Sequence, residues 1–198
     1  MNNNKEFYVV GIGASAGGHD ALKEFFSHIP PDTGMAFVVV THLLRTHRSI
    51  LPRILSRFTS MPVLRMKGVD ALKPNTVFVL PENARVDVKN GILILKARSE
   101  DVVINKTIDE FFRALAEDQR EKAVAIVFSG MGTDGSGGVQ TIHDHGGIVL
   151  VQEPDSTEFD SMPDAAIRGD HPDEILPPAQ LAESLLRIVE EKRLKVYR

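Results

Sequence analysis

Apolar positions along the chain recur first in a strand rhythm and then in a helical one. Phe7-Tyr8-Val9-Val10 is a short apolar run suited to a buried parallel strand, and Gly17 to Ile29 then spaces Ala21, Leu22, Phe25 and Phe26 along one helix face. Pro30-Pro31-Asp32 ends that helix. Met35-Ala36-Phe37-Val38-Val39-Val40-Thr41, the most continuous apolar run, predicts a central strand, and Ser49 to Phe58 spaces Ile50, Leu51, Ile54 and Leu55 helically. Two successive strand-then-helix units predict parallel pairing with right-handed crossovers.

The middle of the chain changes character. Thr76-Val77-Phe78-Val79-Leu80, Arg85-Val86-Asp87-Val88 and Ile92-Leu93-Ile94-Leu95 are short strand candidates, and Asn90-Gly91 is a strong hairpin dipeptide. They predict an antiparallel hairpin excursion near residues 74–97, hung on the edge of the parallel sheet. From Lys106 the first pattern returns. A helix carries Ile108, Phe111, Phe112 and Leu115, a strand covers Ala123 to Phe128, and a helix runs from Val139 to His145. A further strand, Gly147 to Val151, precedes a closing helix from Ala179 to Glu191 with Leu181, Leu185, Leu186 and Ile188 inward. The predicted class is therefore α/β, a three-layer α/β/α sandwich around a mainly parallel sheet, and 198 residues suit one domain.

Two strands empty into glycine-dense turns. The first, Gly11-Ile12-Gly13-Ala14-Ser15-Ala16-Gly17-Gly18, supports three readings. Gly13 to Gly17 fits G-x-S-x-G, a turn that exposes a serine beside helix N-terminal amides. Gly11 to Ala16 fits the G-x-G-x-x-G/A dinucleotide fingerprint, with Asp32 as the candidate ribose ligand. Or the glycines simply permit a tight turn. The second turn, Ser129 to Gly138, repeats the device with Asp134 as its central polar residue.

Composition narrows the chemistry. A net charge of −4 leaves no basic footprint for nucleic acid. No apolar run is long enough to span a bilayer and the N-terminus does not open a signal peptide, so no membrane insertion and a cytoplasmic location are expected. Zero cysteines exclude disulfides, thiolate metal sites and a cysteine nucleophile, which leaves serine for covalent chemistry.

Ligands of parallel sheets sit beyond the carboxyl ends of the strands, and Ser15, His42 and Asp134 each follow such an end. A serine hydroxyl becomes a useful nucleophile when an imidazole takes its proton and a carboxylate orients the imidazole. Singly, each residue reads as an ordinary turn or loop residue. Jointly, they are the three types that nucleophilic hydrolysis needs. Ser15 and His42 meet if their strands are neighbours, about 5 Å apart.

These residues resemble the chemotaxis protein-glutamate methylesterases (CheB-type), over nearly the whole chain. Gly11 to Gly18 is similar to that family's nucleophile turn, His42 falls where its histidine follows the second strand, and Gly130-Met131-Gly132-Thr133-Asp134-Gly135 is similar to its acid motif. Phe159-Asp160-Ser161-Met162-Pro163 resembles its Phe-Gly-Met-Pro segment. The resemblance implies Ser15 as nucleophile, His42 as general base and then acid, Asp134 as the orienting carboxylate, and the backbone N–H groups of Ala16 and Met131 as oxyanion donors. It implies hydrolysis of glutamyl methyl esters on the cytoplasmic helices of chemoreceptors with release of methanol, together with deamidation of receptor glutamines, without metal or cofactor. Implied partners are those methylated helices and a separate or fused methyltransferase or regulatory domain.

Three features depart from the family pattern. Thr41 stands where glutamine often precedes the histidine, and Lys106-Thr107 stand where Arg-Pro often precedes the helix beginning Ile108-Asp109. A lysine cannot form arginine's bidentate fork, so specificity is the property these changes touch. Many members also carry a receiver domain ahead of the esterase, and this chain starts a few residues before its first strand. The expectation is a single methylesterase catalytic domain over residues 1–198. His47 is a second candidate base, deeper in its loop. His42, His47, His143 and His145 invite a metal reading, but no ligand spacing completes it. Asp32 precedes the second strand, whereas the dinucleotide fingerprint wants its acid at that strand's end. Glu153, Asp155 and Glu158 form an acidic loop, and residues 155–163 are a candidate wall of the site. A dinucleotide-binding module using the Gly11–Ala16 turn, and a catalytically silent receptor-binding domain, are the alternatives.

Overall fold

The computed structural model describes residues 7–42, 49–98, 106–169 and 172–196. The chain opens with strand β1 (Val9–Ala14), helix α1 (Gly18–Ser27), strand β2 (Ala36–Thr41) and a short helix α2 (Leu51–Leu55). Five short strands follow, β3 (Val63–Arg65), β4 (Val69–Ala71), β5 (Thr76–Val79), β6 (Ala84–Lys89) and β7 (Ile92–Ala97). Helix α3 (Thr107–Gln119), strand β8 (Ala123–Val127), helix α4 (Ser136–Asp144) and strand β9 (Ile148–Gln152) restore the alternation. Helix α5 (Ser161–Gly169), strand β10 (Glu174–Leu176) and helix α6 (Pro178–Val196) complete it.

Seven strands form one sheet in the order β10-β9-β8-β1-β2-β5-β3, every pair parallel. Side chains alternate between its faces. Val10, Ile12, Phe37, Val39, Val124 and Ile126 meet α1, α2 and α6 on one side, while Val38, Val40, Ala125 and Val127 meet α3, α4 and α5 on the other. The expected three layers are present. The first glycines have a packing reason: a Cβ on Gly11 would stand 2.8 Å from the Phe111 ring and one on Gly13 2.6 Å from Ile108, so α3 lies directly on β1. Both belong to the strand, not to a turn, and the exposed Asp32 lies before the start of β2, toward the opposite end of the parallel strands from Ser15. The geometry that a dinucleotide fingerprint requires is therefore missing.

Two expectations shift. Thr76–Val79 belongs to the parallel sheet beside β2, not to the antiparallel excursion. The antiparallel unit is a separate sheet, β4-β7-β6, unpaired with the main sheet, whose Val86, Val88 and Leu93 join the core beneath α3. The helix expected over residues 49–58 contracts to Leu51–Leu55, because of its apolar positions Ile50 and Phe58 are exposed and only Leu51 and Leu55 are buried among the strands' core.

The core beneath α1 is rich in aromatic side chains. Phe25 is fully buried and makes edge-to-face contacts with Phe26 and Phe128, each at 5.4 Å. Phe25→Ala is expected to lower unfolding free energy by about 3–5 kcal/mol, measured by urea denaturation, because the rigid sheet beneath cannot collapse into the void. Among the described residues, no helix is long and apolar enough to cross a membrane.

Candidate active site

The chain runs from β1 to β2 on one side of the sheet and later returns to place β8 on the other side of β1. Such a switch point opens a crevice at the carboxyl ends of the strands. Three loops enter it, the turns after β1 and β8 and the start of the segment after β2.

In the β1–β2 register Ala14 opposes Thr41, so Ser15 and His42 are the next residues on adjacent strands, and the His42 amide donates to the Ala14 carbonyl at 3.3 Å. His42 Nε2 lies 2.6 Å from Asp134 Oδ2. The side chain of Asp134 is 3% exposed and that of His42 19%. The Asp134 carboxylate also accepts the amides of Ile108 at Oδ2 (3.0 Å) and Asp109 at Oδ1 (2.9 Å), in the first turn of α3. These amides have no partner within their helix, and its dipole favours negative charge there. A carboxylate so occupied by donors accepts from His42, which assigns the ring proton to Nε2 and leaves the Nδ1 lone pair free to take a proton.

Ser15 is held by its main chain. Its N–H donates to the Ser129 carbonyl at 2.9 Å and its carbonyl accepts from Gly18 at 3.0 Å. Its hydroxyl makes no hydrogen bond to His42 or Asp134 among the described residues, so two of the three candidates are joined directly and the third stands on the neighbouring strand end. A loose nucleophile contact is common before substrate closes the site. Gly130 crowds against it: a Cβ there would meet Ser15 Cβ at 2.9 Å and Met162 Sδ at 2.1 Å.

Ser129, unremarked in the sequence, organises the turns. It is buried, its hydroxyl donates to the Ala16 carbonyl (2.7 Å) and accepts from Thr157 Oγ1 (2.6 Å), and its amide donates to Gln152 Oε1 (2.8 Å). Gly130 N–H donates to Phe159 O (2.9 Å) and Gly132 N–H to Ser161 Oγ (3.1 Å). The Met131 amide lies between these two consumed donors and the Ala16 amide follows that of Ser15, and neither donates to any group among the described residues. The segment from 155 to 163 thus braces the second glycine turn through Thr157, Phe159 and Ser161. The one legible signal for Ser129 was its place, directly after a buried strand.

The carboxylates of the acidic loop lie apart from the three candidates, since the groove that one of them reaches is lined by none of Ser15, His42 and Asp134. Glu158 lines a groove of about 210 Å³ with Gly17, Asp20 and Glu24, whereas Glu153 and Asp155 do not line it. The Lys23 ammonium, 2.6 Å from Asp20, holds that carboxyl below its ordinary range. His47 lies outside the described residues. His143 and His145 stand at the far end of α4, where His145 Nδ1 meets the Thr141 carbonyl at 2.8 Å, and no group of three His, Asp or Glu side chains is arranged to hold a metal among the described residues.

A family model described as CheB methylesterase matches residues 10–185. The chain is 28% identical to a Geobacter sulfurreducens protein named protein-glutamate methylesterase/protein-glutamine glutaminase 1, over 92% of this chain and 52% of that one. It is 26% identical to a Leptospira interrogans relative, over 92% of this chain and 95% of that one. It therefore spans about half the length of the first relative and nearly all of the second. The solved catalytic domain of the Thermotoga maritima CheB methylesterase superposes with a TM-score of 0.84 at 24% identity, covering 93% of this chain and all of that one, which is a likeness of fold.

Proposed function

Since the chain belongs to the CheB methylesterase family, we propose that it is a serine hydrolase that demethylates glutamyl methyl esters on the cytoplasmic helices of chemoreceptors and deamidates glutamines at such sites. The observation that carries this reading is the 2.6 Å contact between His42 Nε2 and a buried Asp134, one residue past the strand pair that ends beside Ser15.

Each group then has a task. Ser15 Oγ attacks the ester carbonyl carbon as His42 Nδ1 takes its proton. The Asp134 carboxylate keeps the ring oriented and stabilises the imidazolium. The oxyanion accepts from the free amides of Ala16 and Met131, which are fixed before the reaction and need no reorganisation. On collapse, His42 returns the proton to the departing methoxide and methanol leaves. Water, deprotonated by the same imidazole, then releases the glutamate. A glutamine follows the same path with ammonia as the leaving group. Thr41 and Lys106, which differ from the common family residues, flank His42 and the start of α3, so they bear on substrate fit and leave the chemical steps unchanged.

A fluorophosphonate probe followed by peptide mass mapping tests this reading. Stoichiometric label on Ser15, prevented in His42→Ala, is expected. Label elsewhere, or none with methylated receptor left uncleaved, would overturn it.

A further inference from the structure

Helices α3 and α4 begin without help from their own capping residues. Neither Lys106, before α3, nor Gly135, before α4, provides a side-chain cap. Each helix is capped instead by a carboxylate from the other's start. Asp134, in the loop leading to α4, accepts the Ile108 and Asp109 amides of α3. Asp109, in the first turn of α3, accepts the amides of Gly135 (3.0 Å) and Gly138 (2.8 Å) at the start of α4, both on Oδ1. Asp109 is 4% exposed and forms no ion pair among the described residues. A buried carboxylate without a cation is costly unless its hydrogen bonds are well made.

We propose that Asp109 is a positioning residue for the chemistry at Ser15, acting through Asp134. One residue grips Asp134 twice. Its amide binds the Asp134 carboxylate directly, and its own carboxylate binds Gly135, the residue next to Asp134, and so restrains the rotation of the Asp134 backbone. The helices leave little slack, since a Cβ on Gly138 would stand 2.6 Å from Phe112 Cβ. Without the Asp109 carboxylate, the loop loses its anchor, Asp134 drifts, and with it the orientation of His42. This inference rests on the proposed hydrolase reading.

The double grip sets a distinctive pattern. Because a single oxygen accepts both amides, Asp109→Asn retains them through its carbonyl, whereas Asp109→Ala retains neither. Asp109→Ala is expected to lower kcat for methyl-ester cleavage by about 10- to 100-fold with KM within about twofold, and Asp109→Asn to recover most of that loss. In an Asp134→Ala background, Asp109→Ala should cost less than about twofold more, because the group it positions is gone. A purely structural role would make the two losses multiply. An activity-independent readout accompanies this: the downfield ring-proton NMR signal of ¹⁵N-labelled His42 should be sharp in the native protein and Asp109→Asn, and broadened or lost in Asp109→Ala. If Asp109→Ala does not fold, Asp109→Ser, which keeps a shorter acceptor, should show the same kcat loss to a smaller degree with the same dependence on Asp134. Multiplying losses in the double variant, an unchanged His42 signal, or equal defects in Asn and Ala would overturn the inference. Failure of the hydrolase reading looks different: no methanol release by the native protein, with the His42 signal still responding to Asp109.

Discussion

Ser15→Ala is expected to lower kcat for methyl-ester cleavage by about 10⁴- to 10⁶-fold while leaving the fold intact. The separation of the two effects follows from how the turn is built. Everything that fixes the backbone at residue 15 is main chain: its amide on the Ser129 carbonyl and its carbonyl on the Gly18 amide. The hydroxyl is used by no structural hydrogen bond among the described residues. Deleting it removes the proposed nucleophile and leaves the amides of Ala16 and Met131, the proposed oxyanion donors, where they were. Stability should change by less than about 0.5 kcal/mol. Methanol release from methylated receptor and thermal unfolding, measured in parallel, check both halves. A variant that retains more than a tenth of native activity would remove Ser15 from the chemistry, whatever its stability.

The parts of this arrangement that could be seen in the sequence are those set by runs of neighbouring residues. β1, β2, β8 and β9 are continuous apolar runs because both faces of a parallel sheet are covered, and Ser15 and His42 stand immediately after two of them. Thr76–Val79 carries the same signature, with all its residues buried, which sets it apart from the short strand candidates that follow it. The alternation that marks a half-covered antiparallel strand begins only at Arg85. β3 and β10 are three residues long with exposed centres at Leu64 and Ile175, too short and too weakly patterned to be legible. The polar braces were illegible for a different reason. Ser129, Gln152 and Asp109 act on backbone groups that lie far along the chain, and Ser129 reaches Ala16 across 113 positions. No local spacing encodes a partner that is a peptide group rather than a side chain.

That dependence on backbone partners makes Asp134 the most consequential polar side chain of the candidate site. Asp134→Ala is expected to lower kcat by about 10⁴-fold, since the His42 ring loses the acceptor that sets its tautomer and its orientation. Unlike Ser15→Ala, it should also destabilise the fold, by about 1–3 kcal/mol, because the buried amides of Ile108 and Asp109 are left without an acceptor at the positive end of α3. Asp134→Asn must choose between two defects. With its NH₂ at the Oδ2 position it opposes the donors of both Ile108 and His42, which drives the ring proton to Nδ1 and disables the base. Turned over, it opposes only the Asp109 amide and keeps a neutral oxygen on His42. The second orientation strands fewer groups, so Asp134→Asn should hold a kcat between those of the native protein and Asp134→Ala, with a stability loss smaller than that of alanine. Parallel kcat and melting measurements on the two variants decide the matter. An asparagine variant no better than alanine in kcat would mean that His42 requires the negative charge itself, and an alanine variant within tenfold of native would remove Asp134 from the proposed machinery.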